Sequence, residues 1–232
     1  MPVSVLSWKK KKLRDLEALH LDMLEAEKAR ADDLLRAILP PGAVRELKET
    51  NEVKPRRYEN VAVLFCDIVG FTRYCDLHPP EKVVSELQEL VAFFEDLATR
   101  HGMEKIKTIG DAFMATAGLI SHCDDPVLTS VKCGLEMREG SLKLDPSWQV
   151  RVGIHFGPVV AGIMGKRQFL FDLWGDTVNI AARIVDHATA GTVALSGAAW
   201  IHVRNRCRGK SHGMVELEGK GSIEVVECHE VR

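Results

Sequence analysis

The sequence predicts a mixed α/β fold carried behind a long N-terminal helix, and three observations predict it. Residues 9–39 contain no Gly or Pro and are rich in Leu, Ala, Glu, Lys, Arg and Asp, which is a helix composition. Val61-Ala62-Val63-Leu64-Phe65-Cys66 is an unbroken apolar run of strand length, the pattern of a strand buried on both faces. A long helix opening at Pro79-Pro80 and a hairpin turning at Gly110-Asp111 then give the order strand–helix–strand–strand. A right-handed crossover makes the first two of those strands parallel.

The chain has 232 residues, enough for one large domain or one domain with an appendage. Hydrophobic residues make up 46 %, which suffices for a sizeable core. A net charge of −2 gives no reason to expect a nucleic-acid partner. The six cysteines show no paired spacing, and they read as reduced thiols of a cytoplasmic protein rather than zinc ligands. No apolar run approaches the ~20 residues of a membrane span. Val3 to Trp8 followed by Lys9 to Lys12 is too short to cross a bilayer and reads as a solvated flank.

Taken in order, the N-terminal helix places Leu13, Leu16, His20 and Met23 near a coiled-coil seam. The seam weakens at Glu27 and Arg30 and resumes at Leu34 and Ile38. Two readings stand open: an amphipathic helix packed on its own chain, or a parallel helix pair that holds a dimer or relays a signal from an upstream sensor. Pro40-Pro41-Gly42 ends this helix, Ala43 to Asn51 predicts a short second one, and Glu52 to Asn60 reads as a polar linker. The helix after Pro80 lines up Val83, Leu87, Leu90, Phe94 and Leu97, widened by Val84, Val91 and Ala98, and Gly102 stops it. Ile106 and Thr108 alternate with Lys105, Lys107 and Ile109 as a strand, and Phe113 to Ala117 is its apolar return. Asp124-Asp125-Pro126 starts a helix with Val127, Val131 and Leu135 inward. Gln149 to Phe156 predicts a strand, Gly157-Pro158 a turn, and Val159 to Met164 a further strand. Asp172 is an acid inside the apolar run Phe169 to Trp174, and Gly175-Asp176-Thr177 caps a helix over Val178 to His187. Strands near Thr192 to Leu195, Val215 to Leu217 and Ser222 to Cys228 complete the chain, the last two joined by the turn Glu218-Gly219-Lys220-Gly221.

Chemistry concentrates at a few of these positions. Asp67 directly follows a buried strand, where a carboxylate is costly unless a cation pairs with it. Gly70 permits close backbone approach, and the N–H groups after it, at Phe71 and Thr72, suit phosphate oxygens. Parallel first and second strands bring Asp67 and the turn residue Asp111 to one sheet edge. Two carboxylates brought together by topology suit a pair of divalent cations. Asp172 wants a specific partner. Asn179 and Arg183, four apart, share a helix face: they are either a surface pair or, beside a nucleotide, a ribose clamp and a phosphate clamp. Arg151 reads as an ordinary strand position and His155 as a histidine of the core or of the layer just behind a site.

Together Phe65-Cys66-Asp67-Ile68-Val69-Gly70-Phe71-Thr72, Lys105 to Asp111, Arg151-Val152-Gly153-Ile154-His155 and Trp174 to Arg183 resemble the catalytic domain of the class III nucleotidyl cyclases, from about Tyr58 to the C-terminus. The resemblance implies residues 1–57 as helix and linker and residues 58–232 as the catalytic domain. It implies a ferredoxin-like βαββαβ core and a head-to-tail homodimer with composite sites. Asp67 and Asp111, assisted by the Ile68 carbonyl, match the ligands of two Mg2+ or Mn2+ ions. Arg151 matches a triphosphate-holding arginine, and Lys107 with Asp172 matches the purine-reading pair. Asn179 and Arg183 match the residues that orient the ribose and stabilise the transition state. In the family, the residues matching these last four come from the opposite subunit.

Adenine offers N1 as acceptor and N6 as donor, so Lys107 and Asp172 suit ATP. Guanine presents the reverse pattern and would want an acid where Lys107 stands. The expected activity is therefore an adenylate cyclase, with a guanylate cyclase or a silent nucleotide-binding module as the competing readings. Retention of both metal aspartates and Arg183 argues against silence. The Gly-Gly-Asp/Glu-Glu-Phe signature of diguanylate cyclases is absent, and the charge does not suit a nuclease or polymerase. One position departs from the family: Glu218 stands where many relatives carry a phosphate-binding lysine, with Lys220 two residues on as the substitute.

Overall fold

The computed structural model describes residues 3–165 and 170–232. The chain divides into two compact units, one built on its first two helices and one running from Lys54 to Met164 and from Asp172 to Arg232. In the first, α1 (Val3–Ile38) is followed by α2 (Pro41–Thr50). The break falls at the predicted prolines: Pro40 precedes α2, and Pro41 occupies its first turn, where a missing N–H costs nothing. An Asp32–Lys48 ion pair joins the two helices, and Leu39, Ala43 and Val44 are buried. Leu13, Leu16, Met23, Leu34 and Ile38 of the α1 seam are exposed.

The second unit begins with β1 (Arg56–Ile68), α3 (Phe71–Leu77), α4 (Pro80–Arg100), β2 (Glu104–Ile109), β3 (Ala112–Ala117), α5 (Pro126–Ser141) and β4 (Val150–Met164). It continues from Asp172 of β5 (Leu170–Trp174) through α6 (Asp176–His187), β6 (Val193–Ser196), α7 (Gly197–Val203), β7 (Cys207–Leu217) and β8 (Gly221–Val231). Among the described residues, the strands form one mixed sheet of order β2-β3-β1-β4-β6-β8-β7, with β5 paired to β4. The neighbours β2-β3-β1-β4, joined through α4 and α5, are the ferredoxin-like βαββαβ arrangement. β1 and β2 run parallel, as the crossover predicts, with β3 inserted antiparallel between them.

The apolar run in β1 is unbroken because both of its faces are covered. Ala62, Leu64, Cys66 and Ile68 join Leu90, Phe94 and Leu97 of α4 and Val127 and Val131 of α5 in one core, where the Phe94 and Phe113 rings meet edge to face at 5.5 Å. Val61, Val63 and Phe65, pointing the other way, are equally buried. α6 crosses that second face against β4. The approach is close at Gly153, where a Cβ would lie 2.5 Å from Val185 N and 2.9 Å from Ala181 O. Only hydrogen at that position lets the backbone of α6 rest on the sheet.

Several local expectations are corrected. β1 starts at Arg56, inside the segment read as linker, because its polar residues pair with the far half of β4. Gly157-Pro158 is no turn: β4 runs straight through it. The ladder shifts register between Tyr58 and Val61 of β1, opposite this pair, so the proline falls at an irregularity where its missing N–H breaks no bond. Val84 is 62 % exposed and lies off the stripe of α4. Asp176 and Thr177 belong to the first turn of α6, and neither caps it; Gly175 occupies the cap position, and the Thr177 hydroxyl donates to Pro158 O at 2.6 Å. The short helices α3 and α7 carry no apolar periodicity long enough to predict them. Phe169 lies outside the described residues.

His155 is part-buried beside Ser196. Its Nδ1 is 2.6 Å from the Ser196 hydroxyl, which caps α7 by accepting from Ala199 N. Burial pushes the imidazole down from 6.5 to about 4. Since the folded value lies below the unfolded one, the unfolded chain takes up this proton first as pH falls. Stability should therefore drop by about 3 kcal/mol between pH 6.5 and 4, and His155→Asn should flatten that part of the denaturation profile. Gly153→Ala should cost about 1–3 kcal/mol in denaturant titrations and speed amide exchange along α6.

Candidate active site

Three groups of side chains gather at the positions the sequence marks. The first lies where β1 ends beside the β2–β3 turn. Cys66 pairs with Phe113, so the end of β1 that carries Asp67 lies beside the turn that carries Asp111, and the two carboxyl groups interact. Gly110 allows the turn by taking a φ of +62°. Burial first, and the Asp67 charge second, push the Asp111 carboxyl up, while hydrogen bonds from the Asp111 and Ile68 backbones hold it down. Two carboxylates pressed together in this way call for positive charge.

Arg151 supplies that charge in the free chain. It lies directly across from Asp67 in the β1–β4 ladder, and its Nε and NH2 donate to Asp67 Oδ2 at 2.9 and 2.6 Å. Its NH1 donates to the Asp186 carbonyl near the end of α6 at 2.9 Å. The sequence pattern alone gave Arg151 no special status, because its partners are 84 and 35 residues away.

Among the described residues, no three His, Cys, Asp or Glu side chains converge as a metal cage. Two carboxylates and a backbone carbonyl are nevertheless a fitting donor set for a hard cation such as Mg2+, which fills its remaining positions with water and phosphate oxygens. Beside this group Gly70 takes a φ of +76° and leads into α3, leaving the first-turn N–H groups of Phe71 and Thr72 without intrahelical partners. The Phe71 ring lies 6.3 Å from the Trp148 ring, so its side chain serves packing.

The second group is a pair. Lys107 on β2 donates to Asp172 Oδ2 on β5 at 2.6 Å, across 65 residues of sequence. Asp172 is largely buried, and its other oxygen accepts from Leu173 N at 2.8 Å. The acid in the apolar run thus has the partner its burial requires.

The third group is an open cleft of about 440 Å3 between α6 and the β7–β8 turn, lined by Asn179, Arg183, Asp186, Glu218 and Lys220. Asn179 and Arg183 share an exposed face of α6. Two ion pairs span the cleft: Arg183 NH1 lies 3.2 Å from Glu218 Oε2, and Lys220 Nζ donates to Asp176 Oδ1 at 2.6 Å. Asp176 and Asp186 were not singled out by the sequence, which carries no local signal for contacts made across the fold. Among the described residues, the Arg151–Asp186 hydrogen bond joins the first group to the helix of the third.

Residues 53–229 match the adenylate and guanylate cyclase catalytic domain family. The chain is 35 % identical over 206 residues to the germination-specific adenylate cyclase of Dictyostelium discoideum, covering 83 % of this chain and 23 % of that protein. It is 36 % identical over 222 residues to guanylate cyclase 2G of Mus musculus, covering 85 % of this chain and 19 % of that protein. The chain therefore spans a quarter or less of the length of these two relatives. The guanylate cyclase domain of RhGC from Catenaria anguillulae, solved in complex with GTP, superposes with a TM-score of 0.74 at 27 % identity, over 76 % of this chain and all of that one. The chain therefore belongs to the class III nucleotidyl cyclase catalytic domain family.

Proposed function

We propose that this domain is an adenylate cyclase, converting ATP to 3′,5′-cyclic AMP and pyrophosphate at two composite sites of a head-to-tail homodimer. The observation that carries the choice of ATP is the Lys107–Asp172 pair at 2.6 Å. Lys107 donates to adenine N1 and Asp172 accepts from N6. Against guanine both contacts reverse, leaving a donor facing a donor in a dry pocket. Relatives of both specificities match the chain, so the reading rests on these two side chains.

In this reading Asp67, Asp111 and the Ile68 carbonyl hold two Mg2+ or Mn2+ ions. When bound, the ions acidify the ribose 3′-hydroxyl and offset the charge of the triphosphate. Arg151 gives up Asp67 and turns its guanidinium to the phosphates, joined by the N–H groups of Phe71 and Thr72 beyond Gly70. From the second copy, Asn179 orients the ribose, and Arg183 meets the charge that builds on the α-phosphate as the 3′ oxygen bonds to phosphorus. Lys220 takes the place of the missing lysine, its ammonium keeping Asp176 while a second of its three protons is offered to the triphosphate. The exposed seam of α1 is read as contact surface for α1 of the second copy, through which an upstream sensor would act.

The test is product formation from ATP and from GTP, each with Mg2+ or Mn2+, by the purified chain and by Lys107→Glu. The expected result is cyclic AMP from the parent chain, an ATP turnover lower by about 10- to 100-fold in the variant, and a rise in its share of GTP product. Cyclic GMP as the main product of the parent chain would overturn the purine assignment.

A further inference from the structure

We infer that Glu218 is a positioning residue for Arg183, fixing its guanidinium so that a single edge of the fork is presented to the nucleotide. The inference rests on reading Arg183 as the residue that meets the α-phosphate. It starts from a contrast between two arginines. Arg151 has Nε, NH1 and NH2 all engaged, so it must let go of something before it can bind a ligand. Arg183 is held at NH1 alone, 3.2 Å from Glu218 Oε2. Its Nε and NH2 have no partner among the described residues. The contact therefore anchors the side chain without using up its donors.

The anchor needs a fixed support, and the turn provides one. Lys220, two residues from Glu218, is tied to Asp176 in the first turn of α6. Asp176 and Arg183 are seven residues apart, two helical turns along the same face. Two ion pairs thus seat the β7–β8 turn on α6 at two points. Gly219 and Gly221 bend the turn, with φ of +71° and +72°, so that both side chains face the helix.

An arginine on an exposed helix face otherwise samples many rotamers, and restricting them in advance lowers the ordering needed at the transition state. This accounts for an acid at a place where it would repel a triphosphate. Glu218 is 83 % exposed and Arg183 45 %, so the pair adds little to stability, and its loss will read out in orientation rather than folding.

The experiment is steady-state kinetics on the full chain with Glu218→Gln, Glu218→Asp, Arg183→Ala and the double variant Glu218→Gln/Arg183→Ala. Glu218→Gln should lower kcat about two- to fivefold with KM unchanged or lower, and Glu218→Asp should recover part of the loss. In the Arg183→Ala background, Glu218→Gln should have no further effect. A kcat that stays level or rises in Glu218→Gln, or equal losses in both backgrounds, would overturn the inference.

A second readout needs no turnover. The NMR order parameter of the Arg183 Nε–Hε group should fall in Glu218→Gln, and an unchanged value would overturn the anchor. Absence of product from the parent chain would instead count against the adenylate cyclase reading, leaving the order parameter to decide the role of Glu218.

Discussion

The close approach of Asp67 and Asp111 is the constraint on which the rest of the domain depends. Neither carboxylate is near the other in sequence, and each would be more comfortable in water. The fold brings them together because β1, buried on both faces, ends at the same sheet edge as the turn that joins β2 to β3. The result is a part-buried pair of like charges, in which burial first and the Asp67 charge second push the Asp111 carboxyl up. In the free chain Arg151 relieves it by placing two donors on Asp67. The positive charge that this pair of carboxylates calls for comes from an arginine on the adjacent strand.

The same logic runs through the other two groups. Lys107 and Asp172 satisfy each other, so the pair can be partly buried without a ligand. Arg183 and Lys220 each face an acid across the α6 cleft. Arg151, Lys107, Arg183 and Lys220 are thus each matched by a carboxylate of the same chain. Gly153 sets how closely α6 lies on β4, and Arg151 ties the end of that helix to the aspartate strand. Substitutions distant from the chemistry can therefore move Asn179 and Arg183.

Much of the fold was legible in the sequence because it rests on long periodic signals: the double-sided apolar run of β1, the stripe of α4, and the alternation through β2. The juxtaposition of Asp67 with Asp111 followed from crossover handedness alone. Other features escaped for identifiable reasons. α3 and α7 are seven residues each, too short to show a period. Gly157-Pro158 carries strong turn chemistry, yet the pairing of β4 with the polar start of β1 overrides it. The roles of Asp176, Asp186 and Glu218 depend on which surfaces the tertiary fold brings face to face, and no local pattern encodes that. Arg151 drew attention through family resemblance and not through its own surroundings in the sequence.

The central claim is that one catalytic site takes its aspartates from one copy and its arginine from another. The most direct test mixes two strongly impaired variants, Asp67→Ala and Arg183→Ala, and measures cyclic nucleotide formation. With random pairing, half of the dimers are mixed and one of their two sites is intact, so the mixture should recover about a quarter of the parent activity. A mixture as inactive as its components, with exchange of subunits demonstrated, would contradict a shared site.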